Sequence, residues 1–251
     1  MAVDLTGQVI LISGAGGGLG RSAARHLARC GAIVGVNDID AARCAETVAT
    51  IAEAGGQAHA LPADLSSRDT FLQVAATLAG VAGRIDAVVN NAMIIHYEKI
   101  EDVREEMLER MVGIGLKAAV WGTQALLAHF DPARGGALVN YASPVAYRGY
   151  PTTAIYSAIK GSLVSLTRTL AAELGPRGVR VNAIAPASVP TPGATKLVDP
   201  AEYERRARTI PLRRNGRLED NDHALAFLLS GEASFITGAV LHVDGGVAAA
   251  A

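Results

Sequence analysis

The stretch Gln8-Val-Ile-Leu-Ile-Ser-Gly-Ala-Gly-Gly-Gly-Leu-Gly20 decides the fold of this chain. Residues 8–12 read as a buried strand, and residues 21–30 carry Ala and Leu along one face of a helix. Glycines between them allow a tight turn and let backbone N–H groups approach a pyrophosphate at the positive end of the helix. The flanking strand and helix favour such a phosphate cradle over a plain turn. The residues predicted to form it are Gly14, Gly17, Gly18, Leu19 and Gly20.

Short apolar runs alternate with segments of helical period along the sequence. Strands are predicted over residues 8–12, 32–36, 59–62, 87–90, 137–141, 179–184 and 239–243. Helices are predicted over residues 21–30, 41–54, 70–79, 101–130 and 156–174. This alternation predicts an α/β fold, a doubly wound parallel β-sheet with helices on both faces, in a single domain spanning residues 1–251.

Residues 187–217 depart from this rhythm. The segment is rich in proline and contains one short charged helical piece at residues 202–208. A long irregular insertion in a compact domain is usually either functional or disordered. Because it follows the sixth predicted strand, we expect it to act as a substrate lid.

Composition argues against several classes of partner. The chain has 251 residues, of which 50% are hydrophobic, and a formal net charge of -1, which gives no reason to expect nucleic acid or an anionic membrane. We see no run of about 18 apolar residues. Cys30 and Cys44 lack metal-ligand spacing, so no metal site is predicted. Residues 1–7 show no signal-peptide pattern, and the expected location is the cytoplasm.

The end of the second strand predicts which nicotinamide cofactor is used. A carboxylate at Asp38 would accept hydrogen bonds from the adenosine ribose hydroxyls and repel a 2′-phosphate. Ile39 stands where a phosphate-binding enzyme would benefit from Arg or Lys, and Arg43 lies about a helical turn farther on. The pattern therefore favours NAD over NADP. Asp38 could instead cap the following helix, and both roles could hold.

Two more groups are expected near the adenine and the nicotinamide. Asp64, followed by Leu65, ends the third strand, where its carboxylate could bind the adenine amino group or cap the next helix. Asn90 and Asn91, followed by Ala92, end the fourth strand. Asn side chains there either stabilise a turn or line the crevice in which open α/β sheets bind ligands.

Ser143, Tyr156 and Lys160 form the predicted chemical site. Tyr156 and Lys160 are four residues apart near the start of a helix and so project from one face. An ammonium beside a phenol favours the phenolate and lowers the phenol pKa, which would let Tyr156 take an alcohol proton while hydride leaves for nicotinamide. Ser143 could hold the substrate oxygen. A Tyr-x-x-x-Lys pair alone is common by chance.

Taken in order, these motifs resemble the single-domain branch of the short-chain dehydrogenase/reductase family, and the resemblance covers essentially the whole chain. Its later parts are Tyr156-Ser-Ala-Ile-Lys160, Arg180-Val-Asn-Ala-Ile-Ala-Pro186, Phe235-Ile-Thr-Gly238 and Val243-Asp-Gly-Gly246. The resemblance implies a Rossmann-type sheet, with Tyr156 as acid/base, Lys160 binding the nicotinamide ribose and Ser143 polarising the carbonyl. It also implies a homotetramer. The further residues that it places on the cofactor are Asn91, Ala92, Pro186, Val189 and Thr191.

The sequence departs from this family at three positions. Met93 follows Asn91-Ala92 where the family usually has Gly, and it would serve as a pocket wall or fill core space. Ala187 follows Pro186 where Gly is usual, so ordinary backbone angles are expected there. Gly115 replaces a fourth catalytic residue, Asn, of which it keeps the backbone carbonyl and loses the side-chain amide. We expect a working but slower proton relay.

The leading functional interpretation is an NAD-dependent dehydrogenase that acts on a secondary alcohol or ketone of a small molecule. One alternative is a 3-oxoacyl carrier-protein reductase that uses NADPH, for which the arginines of residues 205–217 would supply a basic rim. Another is a non-catalytic NAD-binding sensor, suggested by Gly115 and Met93. The substrate pocket is expected to draw on His96, Tyr97, Val145, Tyr147, Tyr150, Val189 and the lid.

Overall fold

The computed structural model describes residues 3–196 and 198–250. Seven parallel strands form one sheet in the order β3-β2-β1-β4-β5-β6-β7. The strands are β1 Val9–Ile12, β2 Ile33–Val36, β3 Gln57–Ala60, β4 Ala87–Asn90, β5 Gly136–Tyr141, β6 Val179–Pro186 and β7 Val240–Val243. The predicted α/β class and doubly wound parallel sheet are confirmed, with each predicted strand present to within two residues at either end.

Eight α-helices surround the sheet in the described part of the chain. They are α1 Gly18–Arg29, α2 Ala41–Glu53, α3 Arg68–Ala82, α4 Glu105–Val112, α5 Ala118–His129, α6 Ala154–Leu174, α7 Pro200–Thr209 and α8 Leu218–Leu229. Alternate residues of β1 point to opposite faces, so Ile10 and Ile12 pack with α1 and α8 while Val9 and Leu11 pack with α3 and α5. A strand buried on both faces must be apolar throughout, which is why β1 shows no polar alternation.

The helix predicted over residues 101–130 is interrupted. A 3₁₀ turn at Ile100–Asp102 precedes α4, and a π-helical segment, Gly113–Lys117, separates α4 from α5. π-Helical turns inside α-helices are frequent at functional sites. The segment contains Gly113 and Gly115, both buried, and the sequence period alone did not reveal the break.

One helical stretch of the described residues, Glu105–His129, is long and apolar enough to cross a membrane. The expectation that no such run exists is therefore wrong by this measure. Half of its most apolar window is buried inside the protein, where α5 packs against α3 and the sheet. These contacts are those of a core helix.

The order of the strands reverses between β1 and β4, since β2 and β3 follow on one side of β1 while β4 to β7 lie on the other. In open α/β sheets, ligands bind in the crevice beyond the carboxyl ends of the strands at such a switch point. The loops after β1, β4, β5 and β6 all leave from this edge and line one cleft.

Candidate active site

The cleft brings together every residue that the sequence predicts for cofactor binding and catalysis, from Gly14 to Thr191. The expected substrate-pocket residues divide. Tyr97, Val145, Tyr150 and Val189 line the cleft, whereas His96 and Tyr147 are not among its lining residues. His96 Nε2 lies 3.2 Å from Glu98 Oε2, and the Tyr147 ring packs on His242 with the ring centroids 5.1 Å apart. The placement of these two in the pocket is therefore wrong.

The Gly-rich loop has almost no room for side chains at three of its positions. A Cβ at Gly14 would lie 2.9 Å from Ala92 Cα, and one at Gly16 would lie 2.7 Å from the Asp38 carboxylate. A Cβ at Gly20 would overlap the carbonyl oxygen of Gly14. Gly17, by contrast, has no atom within 4 Å of such a Cβ. Backbone atoms therefore limit the loop at Gly14 and Gly20, and the Asp38 side chain limits it at Gly16.

The start of α1 is left free to bind an anion. Its N-cap, Gly17, has no side chain that could accept hydrogen bonds from the first-turn N–H groups, and the first turn carries no acidic residue. Unpaired N–H groups at the positive end of a helix favour phosphate. Thr191, from the segment after β6, lies beside Gly18, with its Cβ 3.5 Å from where a Gly18 Cβ would stand. The residues present fit a dinucleotide pyrophosphate.

A partly buried hydrogen-bond network joins the loop to the end of β4. Asn91 Nδ2 donates to the backbone carbonyls of Ser13 and Gly14, at 2.9 and 3.2 Å. Ser13 Oγ in turn accepts from the backbone N–H groups of Asn91 and Ala92, both at 3.0 Å. Asn91 therefore has both of the roles that the sequence left open, because its side chain stabilises the turn and lines the cleft.

Asn90 does not share these roles. Its side chain points into the core, where Asn90 Nδ2 donates to Asn140 Oδ1 at 2.8 Å and Asn140 Nδ2 donates to Thr167 Oγ1 at 2.9 Å. The side-chain amide oxygen of Asn90, Oδ1, is buried and has no hydrogen-bond partner in the described structure.

Asp38 is held against the Gly-rich loop and is not the cap of α2. Asp38 Oδ2 accepts from Gly16 N at 3.1 Å and Asp38 Oδ1 accepts from Asp40 N at 3.1 Å. The N-cap of α2 is Asp40, whose carboxylate accepts from Ala42 N and Arg43 N. The capping alternative for Asp38 is therefore wrong, and its carboxylate faces the cleft at the end of β2.

Arg43 lies closer to this carboxylate than its sequence position suggests. A Cβ at Gly16 would lie 2.8 Å from Arg43 Cβ, and Arg43 lines the cleft. Its guanidinium pairs with Asp40, with Arg43 Nε 3.3 Å from Asp40 Oδ2. Ile39, also in the cleft, is largely exposed.

The third strand delivers Asp64 and Leu65 to the same cleft. Asp64 Oδ1 accepts from Ser66 N at 2.9 Å and so closes a turn, while the N-cap of α3 is Ser67. Asp64 is therefore not a helix cap. Its side chain is exposed, whereas Leu65 is buried.

Ser143, Tyr156 and Lys160 meet at the centre of the cleft. Ser143 lies just after β5 and is buried, and its Oγ accepts from Val145 N at 3.4 Å. Tyr156 and Lys160 extend from the first two turns of α6. Lys160 Nζ donates to the backbone carbonyl of Tyr141 at 2.5 Å and lies 5.6 Å from the centroid of the Tyr156 ring.

Burial decides the protonation of this group of residues. It raises the pKa of the Tyr156 phenol above its usual value; Tyr97 raises it further, and the Ser143 hydroxyl acts in the opposite sense. Burial also lowers the pKa of Lys160 to about 8. The expected lowering of the Tyr156 pKa by Lys160 is therefore not found, because burial, which disfavours the charged phenolate, is the largest influence on this pKa.

Described residues of the segment 187–217 line one end of the cleft, and Asn215 joins two parts of this segment. Asn215 Oδ1 accepts from Ser188 Oγ at 2.6 Å, and Asn215 Nδ2 donates to the backbone carbonyl of Tyr203 in α7 at 2.9 Å. Ala187 keeps an ordinary backbone angle, as expected. The next residue, Ser188, takes φ +38°, in the left-handed region that favours glycine.

Three groups that shape the cleft were not predicted from the sequence. Ser13, the backbone carbonyl of Tyr141 and Asn215 act through contacts with residues far along the chain. Nothing in the local sequence marks them. Gly16 could have been noted, since it belongs to the same Gly-rich run, but only the approach of Asp38 shows why no side chain fits there.

Several known proteins are similar to this chain in sequence and in fold. The family model described as Enoyl-(Acyl carrier protein) reductase matches residues 14–248. The 2-(S)-hydroxypropyl-CoM dehydrogenase 3 of Xanthobacter autotrophicus is 33% identical, over 99% of this chain and 100% of that protein. A solved structure from Sinorhizobium meliloti 1021, assigned to the short-chain alcohol dehydrogenases, is 36% identical with a TM-score of 0.94 and covers 98% of each chain.

A 3-ketoacyl-(acyl-carrier-protein) reductase of Brucella melitensis, solved in complex with NADH, is 35% identical with a TM-score of 0.91. The match covers 98% of this chain and 100% of that one. The chain therefore belongs to the short-chain dehydrogenase/reductase family and is an oxidoreductase with that family's single-domain Rossmann-type fold. Proteins of this family bind a nicotinamide cofactor.

Proposed function

We propose that this protein is an NAD-dependent oxidoreductase that interconverts a secondary alcohol and a ketone of a small molecule. The observation that carries the proposal is the meeting of Ser143, Tyr156 and Lys160 in the cleft that also contains the Gly-rich loop and Asp38. A bound nicotinamide would accept or supply the hydride. A cofactor cradle and a proton-transfer group in one cleft are what such a reaction requires.

The proton would be handled by the protein. In the oxidation direction, Tyr156 Oη as phenolate would take the proton of the substrate hydroxyl, and in the reduction direction the phenol would return it. Ser143 Oγ would donate a hydrogen bond to the substrate oxygen. Because burial raises the pKa of Tyr156, the phenolate needs a cation close by, and the Lys160 ammonium is the buried cation at this site. Lys160, held by the Tyr141 carbonyl, would also bind the nicotinamide ribose.

NAD is the proposed cofactor because of Asp38. Its carboxylate is fixed at the end of β2 by two backbone N–H groups, where it would bind ribose hydroxyls and repel a 2′-phosphate. The placement of Arg43 beside Gly16 favours a 2′-phosphate more than its sequence position suggested. Its pairing with Asp40 offsets that charge, and so we retain NAD.

The alternative of an NADPH-dependent 3-oxoacyl carrier-protein reductase has one observation in its favour, the arginines of the lid. Arg205 and Arg206 both pair with Glu202, at 2.7 and 2.9 Å, and Arg214 pairs with Asp220 at 2.6 Å. These pairs offset much of the basic rim that an acidic carrier would need. The non-catalytic sensor is less well supported, since all three catalytic groups are present in the cleft.

We further propose the homotetramer and the cytoplasmic location expected from the sequence. The tetramer is supported by the apolar groups near the edge strand β7, where Phe235 is fully exposed and Leu241 is partly exposed. An edge strand is a ready place for another chain to pair.

The decisive experiment measures NADH and NADPH binding to the purified protein by nicotinamide fluorescence and then turnover of a panel of secondary alcohols, for wild type and Tyr156→Phe. We expect tighter binding of NADH, and a loss in Tyr156→Phe of about 100-fold or more in kcat with unchanged NADH affinity. Tighter binding of NADPH would favour the reductase alternative. Wild-type turnover no better than that of Tyr156→Phe would contradict the proposed function.

A further inference from the structure

Two of the residues that depart from the family pattern are in contact with each other. A Cβ built at Gly115, in the π-helical segment, would lie 2.7 Å from Met93 Sδ and 3.3 Å from Met93 Cε. Real Cβ atoms do not approach a neighbour to 2.7 Å, so the Met93 thioether occupies the space that any side chain at position 115 would need. The two departures therefore form one packing unit, which the sequence could not show.

The opposite side of Met93 faces the cleft. Met93 is half-buried and lines the cleft together with Ile94, Ile95 and Ile114. We call these four residues the apolar wall. Tyr97, two residues after Ile95, packs edge-on against Tyr156 with ring centroids 5.6 Å apart, so the wall leads toward Tyr156.

We infer that Met93 is a specificity-determining residue of the proposed reaction, with Gly115 setting how far its side chain reaches into the cleft. The substrate class that fits is a secondary alcohol or ketone with an apolar substituent that packs on the wall. This inference rests on the proposed function.

The geometry predicts which neighbour moves when a side chain is added at position 115. Ile159, on the other side of Gly115, is buried, and its Cγ2 would lie 2.7 Å from the added Cβ. Ile159 is next to Lys160 on α6 and is enclosed, whereas Met93 is flexible and has open cleft beside it. A side chain at position 115 would therefore push Met93 into the cleft and narrow it. The Gly115→Asn exchange suggested by the family pattern would meet this obstruction, and so it is not a clean test of the proton relay.

The experiment is a double-mutant cycle with wild type, Met93→Ala, Gly115→Ala and the double variant. Its readout is selectivity, the ratio of kcat/KM for 2-octanol to that for 2-butanol. Independently of turnover, the affinity of both alcohols for the enzyme–NADH complex is followed by NADH fluorescence. Gly113→Ala is the matched control, because it lies in the same π-helical segment but its Cβ would meet only Ser66, at an ordinary 3.5 Å.

We expect Met93→Ala to raise the selectivity ratio and Gly115→Ala to lower it, each by roughly tenfold. In the Met93→Ala background, Gly115→Ala should leave the ratio unchanged, while the loss in Tm caused by Ile159 persists in both backgrounds. A side chain that merely fills the core would change Tm without this coupling in selectivity. Equal shifts in both backgrounds, no shift in either, or the same shift in Gly113→Ala would overturn the inference.

Two further outcomes separate the inference from the proposed function. Selective binding of the alcohols without turnover would refute the proposed function and leave the pair in its role, whereas turnover without coupling would refute the pair alone. Absence of both binding and turnover would overturn both. Should Gly115→Ala fail to fold, Met93→Leu, which keeps the apolar volume but not its reach, takes its place, and an unchanged ratio in both Met93 variants would overturn the inference.

Discussion

The two ends of the cleft are built in different ways. At the cofactor end, the Gly-rich loop, β2 and β4 are fixed by backbone contacts and by partly buried hydrogen bonds that involve the side chains of Ser13, Asp38 and Asn91. At the substrate end, most described residues of the segment 187–217 are exposed or half-buried, Tyr203 and Ile210 are buried, and Asn215 joins two parts of the segment by side-chain hydrogen bonds.

This difference indicates which end of the cleft can tolerate substitutions. A diphosphate is recognised by backbone N–H groups, which every residue except proline carries, so the diphosphate-binding loop needs residues without side chains at Gly14, Gly16 and Gly20. Discrimination among substrates depends on which side chains are present. We therefore expect the cofactor end to tolerate very little change in its backbone, and the substrate end to tolerate change at a cost mainly in KM.

The largest effect is expected for Gly20→Ala. The new Cβ would overlap the carbonyl oxygen of Gly14, which is backbone and has little room to move. NADH affinity, measured by fluorescence titration, should fall by about 100-fold or more, on the order of 3 kcal/mol as for other overpacked sites.

Gly80→Ala in α3 is the control, since it lies outside the residues that line the cleft and its Cβ would meet nothing within 4 Å. It should change NADH affinity by less than about threefold, within the usual range for substitutions away from packed features. Similar losses in the two variants would mean that the loop does not depend on backbone packing.

A smaller effect is expected for Asn215→Ala in the lid. Losing its hydrogen bonds to Ser188 and Tyr203 should cost about 1–2 kcal/mol locally. The lid would then be less ordered, so KM for the alcohol should rise by roughly tenfold, with NADH affinity and kcat largely kept.

Thr195→Ala, which loses only a 3.4 Å hydrogen bond to the Pro192 carbonyl, serves as the control and should behave as wild type. Steady-state kinetics and NADH titration of both variants make the comparison. If Asn215→Ala weakened NADH binding as much as it raised KM, the separation of the two ends would be contradicted.

The smallest effect concerns the contact between α1, which follows the Gly-rich loop, and α8, which follows the segment 187–217. Asp222 of α8 is buried and accepts from Ser22 Oγ of α1 at 2.6 Å, while Asp222 Oδ1 has no partner in the described structure. Burial raises the pKa of this carboxyl to about 6 from 3.8. A folded-state pKa raised above the unfolded value gives stability at low pH that is lost as pH rises through about 6.

Asp222→Asn should therefore be more stable than wild type at pH 7.5, by about 1 kcal/mol, with a gain that shrinks toward pH 4.5, where the wild-type carboxyl is protonated. Urea unfolding at both pH values measures it. Ser22→Ala, which removes the donor and keeps the charge, should destabilise at pH 7.5. A gain in Asp222→Asn that is independent of pH would show that charge burial is not its cause.

Much of the fold and of the candidate active site could be predicted because the signals are local. Strand β1 and the Gly-rich loop are adjacent in sequence, and Tyr156 and Lys160, one helical turn apart, lie on the same face of α6. The π-helical segment was missed because a one-residue bulge barely disturbs a helical period. The protonation of Tyr156 was also misjudged, since a pKa follows the total desolvation of a group and not only its sequence neighbours.

The sequence alone did not predict α8, but it did predict the order along the chain of the seven strands and of most of the helices, the glycines of the cofactor loop and the three candidate catalytic residues. It could do so because apolar periodicity and backbone freedom are properties of short segments. Only the tertiary structure decided which distant residues meet: Asp38 with Gly16, Lys160 with the Tyr141 carbonyl, and Met93 with Gly115. Such contacts follow from packing at ångström scale, and two residues that look like separate departures in the chain can share one space in the fold.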